Sequence, residues 1–188
     1  GDVPETLEDM EAEVDRVWSE LRFEAGWQSE SERREARAAL ARFLGYHLRA
    51  DRELVGTETR VGAEVEVPTP DGGTETVRLS GFIDRVERDG QGRLVPIDLK
   101  NMRYPVAQKD IPEHGQLGVY QLLLREGGMS SADADAAAEP AAAVEVGGAA
   151  LVQLRVDAGK APGDPKVQFQ EALGAEEPTW VVVKLGNA

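Results

Sequence analysis

Cysteine is absent from the 188 residues. Its absence excludes disulfides, thiolate zinc sites and a cysteine nucleophile within this chain. Histidine is almost as scarce: only His47 and His114 occur, too few for a histidine-rich metal centre. A metal held here has to lean on oxygen ligands, which suits Mg or Mn. Aromatic residues make up 5%. Trp18, Phe23, Trp27 and Phe43 are spaced like helix-packing residues rather than a base-stacking series. No apolar run reaches membrane length and no signal-peptide pattern opens the chain. The expectation is a soluble, cytoplasmic protein with no membrane partner. No Gly-x-x-x-x-Gly-Lys-Ser/Thr run is present, so ATP binding through a P-loop within this chain is excluded.

A surplus of positive charge is lacking too. The formal net charge is −14, which at first argues against a nucleic-acid partner. The distribution changes that reading. Residues 1–35 carry a net −8, whereas residues 81–125 carry a net +1. The acidic excess is a solvated surface, concentrated away from the most chemically informative segment.

What is present begins with a hydrophobic fraction of 41%, enough for a real core in one domain. Leu7, Met10, Val14, Val17, Trp18 and Leu21 recur at helical spacing and predict a helix over 5–22. Ser29 or Ser31 can cap a second helix running to about Leu48, with Glu32 three residues after Ser29 as in a capping box. Leu40, Phe43, Leu44 and His47 or Leu48 would form its inner stripe. Strands are expected over 53–67, 75–87 and 93–99, joined at Asp71-Gly72-Gly73 and Gly90-Gln91-Gly92. Pro96 inside the third strand suggests an edge or an irregularity. A helix follows from Pro112 to about Arg125, with Leu117, Tyr120, Gln121 and Leu124 on one face and Gly127-Gly128 as its stop. Residues 130–146, rich in Ala, Asp and Glu, read as a partly disordered surface insertion. A fourth strand covers 148–156, a loop 158–165, and a last strand Trp180 to Leu185. The fold class is therefore α/β: a mixed β-sheet flanked by helices, in the order α-β-β-β-α-β. Residues 1–50 would supply helices packing on a core of 51–188, with an insertion at about 128–147, all in one structural domain. The chain starts with Gly and ends just after an apolar run, which suggests a piece of a larger protein.

Residues 79–100 say most about chemistry. Two β-type runs meet at a Gly-containing turn, and each carries one aspartate, Asp84 in Gly-Phe-Ile-Asp-Arg and Asp98 in Ile-Asp-Leu-Lys. Apolar residues surround both, where an unpaired charge is costly. In a strand, residues i and i+2 share a face, so Asp98 and Lys100 project together, and a hairpin brings Asp84 to the same patch. Two carboxylates and a lysine at one spot make a divalent-metal site with a base or charge stabiliser beside it.

These residues resemble a known family. Gly81-Phe-Ile-Asp84-Arg85, Ile97-Asp98-Leu-Lys100 and Gln116-Leu-Gly-Val-Tyr120 are similar to the Gly-x-Ile-Asp-Arg, Asp-x-Lys and Gln-x-x-x-Tyr motifs of RecB-type PD-(D/E)XK nucleases, in the same order. That family has a restriction-endonuclease-like core. Phe43-Leu-Gly-Tyr-His47, Leu54-Val-Gly-Thr-Glu58 and Gly148-Ala-Ala-Leu-Val-Gln-Leu-Arg155 further resemble the C-terminal nuclease domain of actinobacterial UvrD/Rep-family helicase–nucleases of the Adn type, over roughly residues 18–185.

The resemblance implies a metal-dependent DNA nuclease of the exonuclease type, acting in DNA end resection and double-strand-break repair. Its partners would be single-stranded DNA, a fused ATP-dependent helicase motor and a possible second subunit. Asp84 and Asp98, with the main-chain carbonyl of Leu99, would hold Mg or Mn. Lys100 would orient the attacking water and offset charge on the phosphorane-like transition state. Gln116 and Tyr120 would hold Lys100 or the DNA backbone, Glu58 would add a further acidic group, and Arg85 and Arg103 would contact DNA. This chain departs from the pattern at Asn101-Met102, where the family continues with Thr-Gly. The family's metal-binding histidine is expected upstream of Gly1, because His47 stands in a different setting. Cysteine ligands for an iron–sulfur cluster, if one exists, would lie beyond Ala188. The rival reading is a catalytically inactive DNA-binding or docking module of the same fold.

Overall fold

The computed structural model describes residues 6–49, 51–127, 129, 144–158 and 163–174. In chain order these form α1 (Leu7–Trp18), α2 (Gly26–Arg49), β1 (Glu53–Pro68), β2 (Thr74–Arg88), β3 (Leu94–Lys100), a short 3-10 turn (Gln108–Asp110), α3 (Gly115–Gly127), β4 (Ala149–Asp157) and β5 (Pro165–Gln170). The strands make one five-stranded sheet in the order β1-β2-β3-β4-β5. This is the mixed α/β architecture expected from the sequence. Among the described residues, no helix is long and apolar enough to cross a membrane.

The chain divides into two compact units. The first comprises residues 1–50, Lys100–Pro105 and Val152–Val167; the second comprises Asp51–Leu99, Val106–Leu151 and the residues from Gln168 onward. The first unit thus joins residues 1–50 to two later stretches of the chain.

In the first unit, the Thr6 side chain caps α1 by accepting from the Asp9 amide at 3.1 Å. Neither helix buries much. No residue of α1 is fully buried, and α2 buries only Ala39. Polar contacts join them instead. Asp15 accepts from Arg33 Nε at 2.9 Å and from Arg37 Nη2 at 2.7 Å. The guanidinium of Arg33 first, and that of Arg37 after it, hold the Asp15 carboxyl below the usual carboxylate range. Arg42 donates to Asp157 Oδ1 at 2.6 Å and to the Leu154 carbonyl, and Arg155 pairs with Glu32 at 2.9 Å.

Helix α2 starts three residues ahead of the expected Ser29 cap. The Ser29 hydroxyl instead accepts from the Trp18 indole at 3.0 Å. His47 and Leu48, the two alternatives for the end of the inner stripe, are both exposed.

The second unit is built on apolar packing. β1, β2 and β3 pair antiparallel, with Val61 opposite Gly81 and Arg85 opposite Ile97. Tight turns close both hairpins, and Gly72 and Gly92 take up the left-handed backbone at φ 84° and 83°. Val61, Ala63, Ile83, Val86 and Leu94 from the strands pack with Leu123 and Leu124 of α3. The end of α3 comes so close to β1 that a Cβ on Gly127 would lie 1.9 Å from the Gly62 carbonyl oxygen. Pro96 does not mark an edge, because β3 lies between β2 and β4.

Strand β5 falls just after the expected loop 158–165. It buries Gln168 and Gln170 and exposes Val167. Its inward side chains are amides rather than hydrocarbon, so no hydrophobic alternation announces it. The expected strand Trp180–Leu185 and residues 130–143 of the expected insertion lie outside the described residues.

Candidate active site

The site is organised where the β2–β3 ladder runs out. Pairing proceeds from Arg88↔Leu94 to Arg85↔Ile97. One step further in the same register stand Asp84 and Asp98. There the Asp84 carboxylate replaces the backbone partner, and its Oδ2 accepts from the Leu99 N–H at 2.7 Å. Asp84 is therefore seated against the Asp98–Leu99 peptide. Asp98 is 2% exposed. Gln116, in the first turn of α3, donates from Nε2 to Asp98 Oδ1 at 2.8 Å and to the Tyr120 hydroxyl at 2.8 Å. The i, i+4 spacing of Gln116 and Tyr120 puts both on one helix face, and Gln116 bonds both Tyr120 and Asp98. Hydrogen bonds to carboxylate oxygens are charge-assisted and short, so each aspartate is held by a donor of fixed position.

Lys100 is the last residue of β3, two positions beyond Asp98, and is half-buried. Arg103 follows in an exposed loop.

Two further expected site residues, Arg85 and Glu58, lie on the strands close to Asp84. Arg85, expected to contact DNA, is 3% exposed, and its Nε lies 2.6 Å from Glu87 Oε1. In this structure the guanidinium is thus buried against a carboxylate rather than open at the surface. Glu58 is exposed. It falls between the rungs Thr57↔Arg85 and Thr59↔Ile83, and its φ of 46° makes it a left-handed residue other than glycine, an unfavourable conformation. Among the described residues no group of three or more His, Cys, Asp or Glu side chains converges to hold a metal. Glu58 thus does not complete a three-carboxylate set with Asp84 and Asp98.

The donor chemistry nonetheless fits a hard divalent cation. The available ligands are two aspartates on neighbouring strands and main-chain carbonyls, all oxygen. Mg²⁺ is commonly held by one or two carboxylates, with waters and substrate phosphate completing the octahedron.

A positioning layer behind the site was not foreseen. Gln170 Nε2 donates to the carbonyls of Ile111, Pro112 and His114 at 3.0, 3.1 and 3.2 Å. Gln121 Nε2 donates to Gln170 Oε1 at 2.9 Å. These bonds fix the segment that leads into α3, immediately ahead of Gln116. The Gln168-x-Gln170 spacing was the one available signal.

A comparison with curated proteins finds no match. Among solved structures, the chain is similar to one described as "Crystal structure of SSO0001", at 16% identity and a TM-score of 0.40, covering 94% of this chain and 70% of that one. A family model described as the PD-(D/E)XK nuclease superfamily matches residues 1–180. With nearly the whole chain matched, this protein belongs to the PD-(D/E)XK nuclease superfamily.

Proposed function

We propose that the chain is a metal-dependent deoxyribonuclease domain that hydrolyses phosphodiester bonds of single-stranded DNA in an exonuclease-type reaction. The observation that carries this reading is the seating of Asp84 against the Asp98–Leu99 peptide, with Asp98 bound by Gln116, in a chain of this superfamily. Asp84, Asp98 and the Leu99 carbonyl would hold Mg or Mn. When bound, the metal polarises the scissile phosphate and lowers the pKa of its water.

The remaining roles belong to the chain's own side chains. Lys100 orients the attacking water and offsets negative charge as the new P–O bond forms and the old one breaks. Gln116 keeps Asp98 in one orientation and is itself steadied by Tyr120. Arg103, exposed after the strand end, contacts the phosphate backbone. The wider setting we infer is a RecB-type domain of an Adn-like helicase–nuclease in DNA end resection and break repair. A fused ATP-dependent motor and a second subunit would then lie outside this chain. The order and spacing of the Gly-Phe-Ile-Asp-Arg, Asp-Leu-Lys and Gln-x-x-x-Tyr stretches support that setting.

The test is cleavage of labelled single-stranded DNA with Mn²⁺ or Mg²⁺ by the parent chain and by Asp98→Ala and Lys100→Ala. Cutting should require metal and fall by roughly 10²-fold or more in both variants. Undiminished cutting by the variants would overturn the site. A parent that binds DNA but never cuts, alone or extended upstream, would make the domain a non-catalytic DNA-binding module.

A further inference from the structure

The loop that follows the strand end carries groups that the hydrolytic reading does not use. Residues 101–104 are all exposed. Tyr104 is 81% exposed, the most exposed of the large hydrophobic side chains among the described residues, and Met102 is 43% exposed. An aromatic ring left this open gives up the burial that normally stabilises it, and Pro105 restricts the backbone just after it. Charge is one-sided here. Residues 99–109 contain Lys100, Arg103 and Lys109 and no Asp or Glu, within a chain whose net charge is −14. Connectivity limits the distance: four residues span at most about 14 Å, so the Tyr104 backbone lies within a few nucleotides of any phosphate at Lys100.

We propose that Tyr104 is a base-stacking residue that holds an unpaired nucleobase within a few nucleotides of a phosphate at Lys100, with Arg103 gripping the backbone of the same strand. The inference rests on the nucleic-acid reading above and deepens it by naming how a single strand is recognised. An exposed phenol ring stacks on any base, whereas paired bases keep their faces inside a duplex. Cations on the same loop supply the sequence-independent attraction to the backbone. The ring therefore gives the domain a preference for unpaired DNA without any preference for sequence.

The experiment measures binding without cutting. Fluorescence anisotropy of a labelled oligothymidine and of a duplex of equal length is recorded with the full chain in EDTA and again in Ca²⁺. Tyr104→Ala should weaken single-strand binding roughly tenfold or more and leave duplex binding nearly unchanged. Tyr104→Phe should restore it. Arg103→Ala should weaken both and flatten the salt dependence. Trp27, exposed on α2 in an acidic stretch, is the control, and Trp27→Ala should bind like the parent. Equal single-strand affinity of parent and Tyr104→Ala overturns the proposal, as does a parent that binds no single strand. Because no cleavage is read, failure here leaves the metal-dependent reaction to its own test, and a silent nuclease leaves the stacking result standing.

Discussion

The two units of this chain reach order by different means. The second interlocks apolar side chains of three strands with those of α3, and answers its buried polar groups with amides or a tight ion network. The first has two helices with one fully buried residue between them, and guanidinium–carboxylate pairs do the joining. Burial of hydrocarbon is little affected by pH, whereas half-exposed ion pairs are screened by salt and titrated by acid. The difference teaches that one chain can carry two distinct sensitivities. The carboxylates that organise the candidate site belong to the unit built on burial.

Substitutions can sharpen that contrast. The largest effect is expected at Glu87, which is fully buried, bonds Arg85 and also faces Arg52 at 3.6 Å. Glu87→Ala takes away the carboxylate that two guanidiniums share. It should cost about 3–5 kcal/mol in urea unfolding, because a buried pair is worth most when it is broken from one side. A smaller loss is expected from Gly127→Ala. The new methyl group meets the Gly62 carbonyl and forces α3 away from β1, costing about 1–3 kcal/mol by the same measurement.

The smallest effect lies in the first unit. Asp15 has its folded-state pKa lowered, chiefly by hydrogen bonding to Arg33 and then by Arg37. Its stabilising contribution is therefore present above the ordinary carboxylate range and is lost as pH falls through the depressed value. Followed by the fluorescence of Trp18 and Trp27, both in this unit, the parent should loosen in that acid window and more readily in high salt. Asp15→Asn should flatten the acid limb. An unchanged acid limb in that variant would break the comparison.

The sequence makes some of this architecture legible and hides the rest for physical reasons. β1 announces itself by alternation, and β2 and β3 by the glycine turns that bound them, which need a left-handed backbone. α3 does so through Leu117, Gln121 and Leu124 at helical spacing. β5 is hidden because Gln168 and Gln170 occupy positions where a hydrophobic pattern is sought. The α2 start is hidden because Ser29 has the chemistry of a cap but serves the Trp18 indole. At the site, the meeting of Asp84, Asp98, Gln116 and Tyr120 follows from motif order and strand pairing. The fate of Arg85 depends on Glu87, two residues along the same strand, and on how deeply that strand is buried.

The Leu99 amide bond to Asp84 has a further consequence. It makes this side chain a rung of the sheet as well as a candidate ligand. Truncating it to alanine removes a strand-to-strand fastening together with a charge, so lost activity in that variant mixes architecture with chemistry. Asp84→Asn keeps an oxygen for the Leu99 N–H while discarding the negative charge. The asparagine variant should hold the strand end in register and lose metal binding, which isolates the part this residue plays as an anion.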